Sequence, residues 1–255
     1  MTDKRVLLSV EGEVATLVLD RPPGNVLDIA TLEELNEALF GLRDEPTLKV
    51  LLIRGANGTF CDGLDLAEHT RDRVQRLLQV FVRFFETLRM VQAVTVAAVE
   101  GRAVGAGFEL ALGCNLFVAT ETATFSLPQI KMGLLPPVAT AILPRIAPRR
   151  RAMEWILTGN KISARRLEHD GVINRLLPED HFENMLAAFV KELTGKSAPV
   201  LQLARRAQME AYYSTFPDAL SSIHALYIRE LIELEDSEEG TRAAREDRKP
   251  EWKNR

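Results

Sequence analysis

The sequence predicts an α/β fold: a largely parallel sheet flanked by helices over the first three-quarters of the chain, then a helical C-terminal part. Three observations carry that prediction. Residues 50–53, 94–99 and 116–119 are short continuous apolar runs, the pattern of strands buried on both faces. Helical spacing and glycine turns fill the intervals between them, which implies right-handed crossovers and parallel pairing. Beyond Pro148 helical patterns dominate, and only residues 172–176 look strand-like.

Taken in order, residues 14–19 follow Gly12 and are rich in β-formers, so they read as a strand. Pro22-Pro23-Gly24-Asn25 then breaks the chain. Over residues 31–43, Leu32, Leu35, Leu39 and Leu42 recur at helical spacing. Thr31 with Glu34 fits a capping box, and Asp28 competes as the N-cap. Residues 152–157, 164–169, 180–194 and 217–235 read as helices. A boundary near residues 190–200 divides the chain into a core of residues 1–195 and a helical region of residues 196–255. The densely charged tail, residues 235–255, reads as a solvated helix.

The chain has 255 residues, of which 46% are hydrophobic and 27% charged, so a sizeable core can form. Lysine and arginine number 32 against 36 acidic residues, a net charge of −4 that argues against a nucleic-acid partner. It leaves room for a small anionic ligand, since a few cations or a helix N-terminus suffice. Cys61 and Cys114 are the only cysteines, which is no disulfide framework and points to a reducing compartment. The N-terminus lacks an apolar signal core, and the most apolar stretch, residues 93–113, is broken by Glu100, Arg102 and Glu109. The expectation is a soluble, cytoplasmic protein without a membrane partner.

Two glycine turns stand out. Phe60-Cys61-Asp62-Gly63-Leu64-Asp65-Leu66 follows the first buried strand and an Asn57-Gly58 turn. Gly101-Arg102-Ala103-Val104-Gly105-Ala106-Gly107-Phe108-Glu109-Leu110 follows the second and opens a helix. Alone, each is a common device for bending the backbone. The second begins like a Gly-x-Gly-x-x-Gly dinucleotide fingerprint, but its sixth position is Leu110 and no acid follows at the required distance. As a pair they are more informative, because main-chain N–H groups from two turns can form an oxyanion hole.

The order and separation of these turns resemble the paired motifs of the crotonase (enoyl-CoA hydratase/isomerase) superfamily. That resemblance spans nearly the whole chain. It implies a spiral of ββα turns with two stacked sheets and a helical C-terminal region for trimerisation, hence a homotrimer or dimer of trimers. It implies an acyl-CoA thioester as substrate, with no cofactor beyond the coenzyme A of that substrate and no metal. The backbone N–H groups of Leu64 and Ala106 would hold the thioester oxygen. Ala106 replaces a frequent glycine, which a main-chain donor tolerates where the backbone is helical. Glu109, which in isolation could simply favour a helix dipole, falls on a catalytic glutamate. Further candidates for the substrate pocket are Cys61, Gly63, Asp65, His69, Gly105, Gly107 and Pro137. Of these, Asp65 also reads as a brace for the following helix and His69 as a packing residue. Asp62 is expected to face away from the anion.

The second catalytic acid of two-glutamate hydratases falls in Phe125-Ser126-Leu127-Pro128-Gln129, where Gln129 stands instead. An amide can hydrogen-bond a water or substrate but cannot exchange a proton near neutral pH. Downstream, Leu134-Leu135-Pro136-Pro137-Val138-Ala139 replaces a glycine-rich stretch, and Pro137 has no N–H to offer. Asn25-Val26-Leu27-Asp28, Ala67-Glu68-His69, Gly113-Cys114-Asn115-Leu116, the Pro136–Ala139 run and the closing Trp252-Lys253-Asn254-Arg255 are similar to the cyclohexa-1,5-diene-1-carbonyl-CoA hydratases. That resemblance implies a lyase for a conjugated enoyl- or dienoyl-CoA, cyclic ones included; the branch keeps a glutamate where Gln129 stands, so this chain departs from it as a one-glutamate site. Isomerisation, decarboxylation, thioester hydrolysis and non-catalytic acyl-CoA binding stand as alternatives. Arg248 and Lys249 are candidates for the coenzyme A phosphates.

Overall fold

A computed structural model describes residues 4–255. Its elements run β1 (Val6–Glu11), β2 (Val14–Leu19), α1 (Ile29–Leu42), β3 (Val50–Gly55), α2 (Val74–Met90), β4 (Val94–Val99), β5 (Arg102–Val104), α3 (Ala106–Gly113), β6 (Leu116–Thr120) and β7 (Thr124–Ser126). They continue with α4 (Pro137–Ile146), α5 (Arg149–Thr158), β8 (Ile162–Ser163), α6 (Ala164–His169), β9 (Arg175–Leu177), α7 (Phe182–Thr194), α8 (Ala198–Ala211), α9 (Phe216–Leu226) and α10 (Glu235–Arg245). The main sheet has the order β1-β2-β3-β4-β6-β9, and a second sheet has the order β5-β7-β8. Only β1–β2 and β7–β8 are antiparallel; the other pairs are parallel.

The apolar runs are continuous because both faces of the main sheet are covered. Leu51, Ile53, Ala97, Val99, Phe117 and Ala119 point into the larger core with α1, α2 and α3. Their alternating neighbours Val50, Leu52, Val94, Val96, Ala98 and Val118 pack under Phe182, Leu186 and Phe189 of α7. Strand periodicity thus divides one apolar run between two cores. α2 carries its own signal, Leu77, Phe81, Phe84 and Leu88 buried at helical spacing.

Some local expectations are resolved or corrected. Asp28, not Thr31, caps α1: its Oδ1 accepts from the Thr31 N–H at 2.7 Å. Glu34 instead accepts the Arg5 N–H at 3.0 Å, so no capping box forms. The strand expected over residues 172–176 is shifted to β9, since Val172 and Ile173 turn back to Leu167 O. The helix over residues 217–235 is α9 followed by a π-helical turn, Tyr227–Leu231.

The tail is not a solvated helix. α10 ends at Arg245, and the chain then returns across its buried face. Asp236, 1% exposed, accepts the N–H groups of Lys253 and Asn254 at 2.7 and 2.9 Å. Glu239 accepts the Glu251 N–H and holds Arg248, and Asn254 Nδ2 reaches Glu13 at 3.2 Å. Arg248 is consequently engaged by Glu239 and Glu246 rather than free for a phosphate.

Candidate active site

The two glycine turns leave the C-terminal ends of adjacent parallel strands β3 and β4, the edge where open α/β sheets place ligands. Backbone hydrogen bonds stitch them together: Arg102 O accepts from the Cys61 N–H at 3.1 Å, and Cys61 O accepts from the Val104 N–H at 2.8 Å. The first turn is pinned from its other side as well. Gly63 O accepts the Leu27 N–H and Leu27 O accepts the Asp65 N–H, at 2.8 and 2.9 Å. Leu64 lies between two fixed peptide units, and its own N–H has no protein acceptor among the described residues.

Ala106 is the first residue of α3, so its N–H is one of the orphan donors of a helix N-terminus. A β-carbon placed on Gly63 would lie 3.6 Å from the Ala106 nitrogen, which brings the two turns side by side. Gly105 precedes it at φ +54°, a conformation that L side chains rarely adopt. Gly107 is required for a different reason: a β-carbon there would stand 2.2 Å from Cys61 O. Ala106 itself is helical and accommodates its methyl without strain.

The remaining candidates are placed as follows. Cys61 is fully buried, with its Sγ 3.4 Å from the Gly63 nitrogen and its thiol pushed up to about 12 by burial; it supports the turn rather than lining an open pocket. The Asp65 carboxylate is taken by the Ala67 N–H at 3.0 Å and by Arg21 at 3.2 Å, so it braces the turn instead of facing a substrate. His69 closes the 3-10 turn Leu66–Glu68, and no hydrogen bond links its ring to the crevice. Asp62 turns outward to Arg102, at 2.7 Å. A residue that sequence reasoning missed is Asn25. Its buried amide donates to the carbonyls of Ala56 and Thr59 at 3.0 and 2.6 Å, holding the approach to the first turn.

Glu109 projects from α3 and is 1% exposed. Its Oε1 accepts two backbone N–H groups, Val138 at 2.7 Å and Ala139 at 2.9 Å. Both belong to the first turn of α4, which Pro137 opens. A proline at that position has no donor to lose and a dihedral suited to the helix. The stretch that lacked glycines therefore supplies a carboxylate cradle. Burial pushes the Glu109 carboxyl up to about 7, partly opposed by the two N–H groups. Its Oε2 accepts from Gln129 Nε2 at 3.1 Å. The Gln129 Oε1 is buried without a partner among the described residues. That orphan acceptor sits beside Gly105, where a β-carbon would meet the Gln129 amide at 3.2 Å.

Two unpaired main-chain N–H groups next to one buried carboxyl suit the chemistry of thioester enolates. Comparison with known proteins agrees: the profile described as Enoyl-CoA hydratase/isomerase matches residues 9–255. The chain belongs to the enoyl-CoA hydratase/isomerase family. It is 30% identical to a probable enoyl-CoA hydratase of Mycobacterium tuberculosis, over 100% of both chains. It is 31% identical to the carnitinyl-CoA dehydratase of Proteus mirabilis, over 97% of this chain and 98% of that one. The solved enoyl-CoA hydratase of Bacillus anthracis superposes with a TM-score of 0.93 at 26% identity, over 98% of this chain and 100% of that one. The fold is therefore that of the crotonases, and this family member is an enzyme for acyl-CoA thioesters. Among the described residues, no helix is long and apolar enough to cross a membrane.

Proposed function

We propose that the protein hydrates a conjugated enoyl-CoA thioester with Glu109 as its single proton-transfer group. The observation that carries this is the Glu109 corner: a buried carboxyl near pKa 7, held by α4 and Gln129, with no second acid bonded to it among the described residues. In this reading Glu109 takes a proton from water while the oxygen adds to the β-carbon. Electrons flow to the thioester oxygen, held by the Leu64 and Ala106 N–H groups, and the proton is then returned to the α-carbon. Gln129 Oε1 accepts the remaining hydrogen of the water. A carboxyl with pKa near the working pH suits both halves of such a transfer.

The narrower reading is a cyclic or dienoyl-CoA substrate, supported by the segments that resemble those of the diene hydratases. Isomerisation is the second reading, because a double-bond shift also needs one base and an enolate hole, and Gln129 supplies no second proton. Mass analysis of products from a cyclic dienoyl-CoA and from crotonyl-CoA separates the two. Hydration adds the mass of water; isomerisation leaves mass unchanged. Absence of any turnover, with thioester binding intact, would instead support a non-catalytic role.

A trimer or dimer of trimers is proposed with it. Supporting this, Tyr213, Phe216, Leu220, Tyr227, Ile228 and Ile232 are exposed on and beside α9. Light scattering should give three or six times the 28.5 kDa chain mass.

A further inference from the structure

A second cavity lies at the opposite end of the main sheet. It has a volume of about 440 Å³ and is bounded by the end of α2, by α8 and by the π-helical turn after α9. Gln92, just before β4, and Arg205, bonded to Asn115 just before β6, place it at the strand N-termini. The oxyanion turns leave the strand C-termini, roughly 20 Å away along six residues of strand. The cavity is thus separate from the crevice that holds Glu109.

Three arginines meet there against one carboxylate. Arg206 is paired with Glu230 and lies 3.9 Å from Glu210. Arg89 and Arg205 have no carboxylate partner among the described residues. Half-buried Arg205 donates from Nε to Asn115 Oδ1 at 2.8 Å and from Nη2 to Arg89 O at 3.3 Å. Its Nη1 has no protein acceptor among the described residues. The Arg89 guanidinium sits 5.6 Å over the Tyr213 ring. Burial pushes the Arg205 pKa down, and the neighbouring Arg89 charge adds to that. Pro199, Leu203, Met90 and Leu234 supply apolar wall.

Arg89 and Arg205 share the cavity with Glu230 already taken by Arg206, so their two charges repel each other. An oxygen anion between them converts that repulsion into charge-assisted, fork-shaped hydrogen bonds. The size falls within the range of small-ligand sites. We propose that this cavity binds a small oxyanion, a phosphate or carboxylate group, clamped between Arg89 and Arg205.

Calorimetry on the full-length protein in its own assembly tests this, with inorganic phosphate and acetate titrated separately at constant ionic strength. One of the two anions should bind, and the tighter one names the headgroup. Arg89→Gln and Arg205→Gln should each weaken it about tenfold or more, as expected for losing one charge-assisted hydrogen bond. Arg89→Gln removes no side-chain hydrogen bond seen in the structure, so it decides the matter if Arg205→Gln misfolds. Acyl-CoA turnover by Arg89→Gln without added anion should match the wild type. Absence of binding by either anion, including through closure of the cavity by another copy, overturns the proposal. So does equal binding by wild type and Arg89→Gln, which would place the anion elsewhere.

Discussion

The two glycine turns and the Glu109 corner share one crevice but are built from different materials. The turns are backbone: Leu64 and Ala106 offer N–H groups, and their positions are fixed by glycines and by hydrogen bonds between peptide units. The corner is made of side chains, Glu109 and Gln129, gathered onto the first turn of a distant helix. A main-chain donor survives replacement of a glycine by Ala106. A corner made of side chains changes character with one substitution, and an amide at Gln129 cannot exchange a proton as a carboxyl there would. In the proposed reading the backbone turns carry thioester binding and the side-chain corner carries the reaction.

The comparison can be broken most forcefully at Glu109. Glu109→Gln should lower hydration by about a hundredfold to ten-thousandfold, the usual loss for a general acid–base group, while thioester binding measured by calorimetry stays within a few-fold. Next in size is Gly107→Ala. Its β-carbon would collide with Cys61 O, so urea unfolding should show a loss of about 3 kcal/mol or more, the upper end of overpacking. Asp236→Ala, far from the crevice, should cost about 1–3 kcal/mol by stranding the Lys253 and Asn254 N–H groups. It should leave the rate per folded molecule unchanged.

Gln129→Glu sharpens the comparison differently. Two carboxyls within hydrogen-bond reach cannot both ionise, so one stays protonated near neutrality. Crotonyl-CoA hydration should rise if the chemistry is limited by the missing acid, read directly from loss of enoyl absorbance. A further effect is expected in the pH dependence of stability. The folded Glu109 carboxyl is held up at about 7 against an ordinary 4.5, so its contribution is complete below about pH 4.5 and lost as pH rises through 7. Glu109→Gln has no such ionisation, and its amide can donate to the orphan Gln129 Oε1. Its Tm advantage over wild type should therefore grow from about pH 5 to pH 8, by a few degrees.

Much of this was legible in the sequence where the cause is local. Apolar runs marked the strands, and Gly63, Gly105 and Gly107 marked the turns because only glycine meets those conformations or contacts. The cradle of Glu109 was not legible. Its donors, Val138 and Ala139, lie 29 and 30 residues downstream. In the sequence Pro137 shows only a missing N–H donor, although it opens α4. The tail misled for the opposite reason: a charged sequence looks solvated, yet Asp236 and Glu239 are buried because backbone N–H groups and Arg248 come back to meet them. Asp65 reads as a brace from its place before a helix, whereas Cys61 is shown to brace the turn only by its burial.

The pH dependence of kcat/KM for hydration tests the one-acid account most directly. With Glu109 acting first as base, kcat/KM should rise with a single ionisation near pH 7 and reach a plateau above it. A profile that is flat through pH 7, or that falls as pH rises through it, would contradict that account.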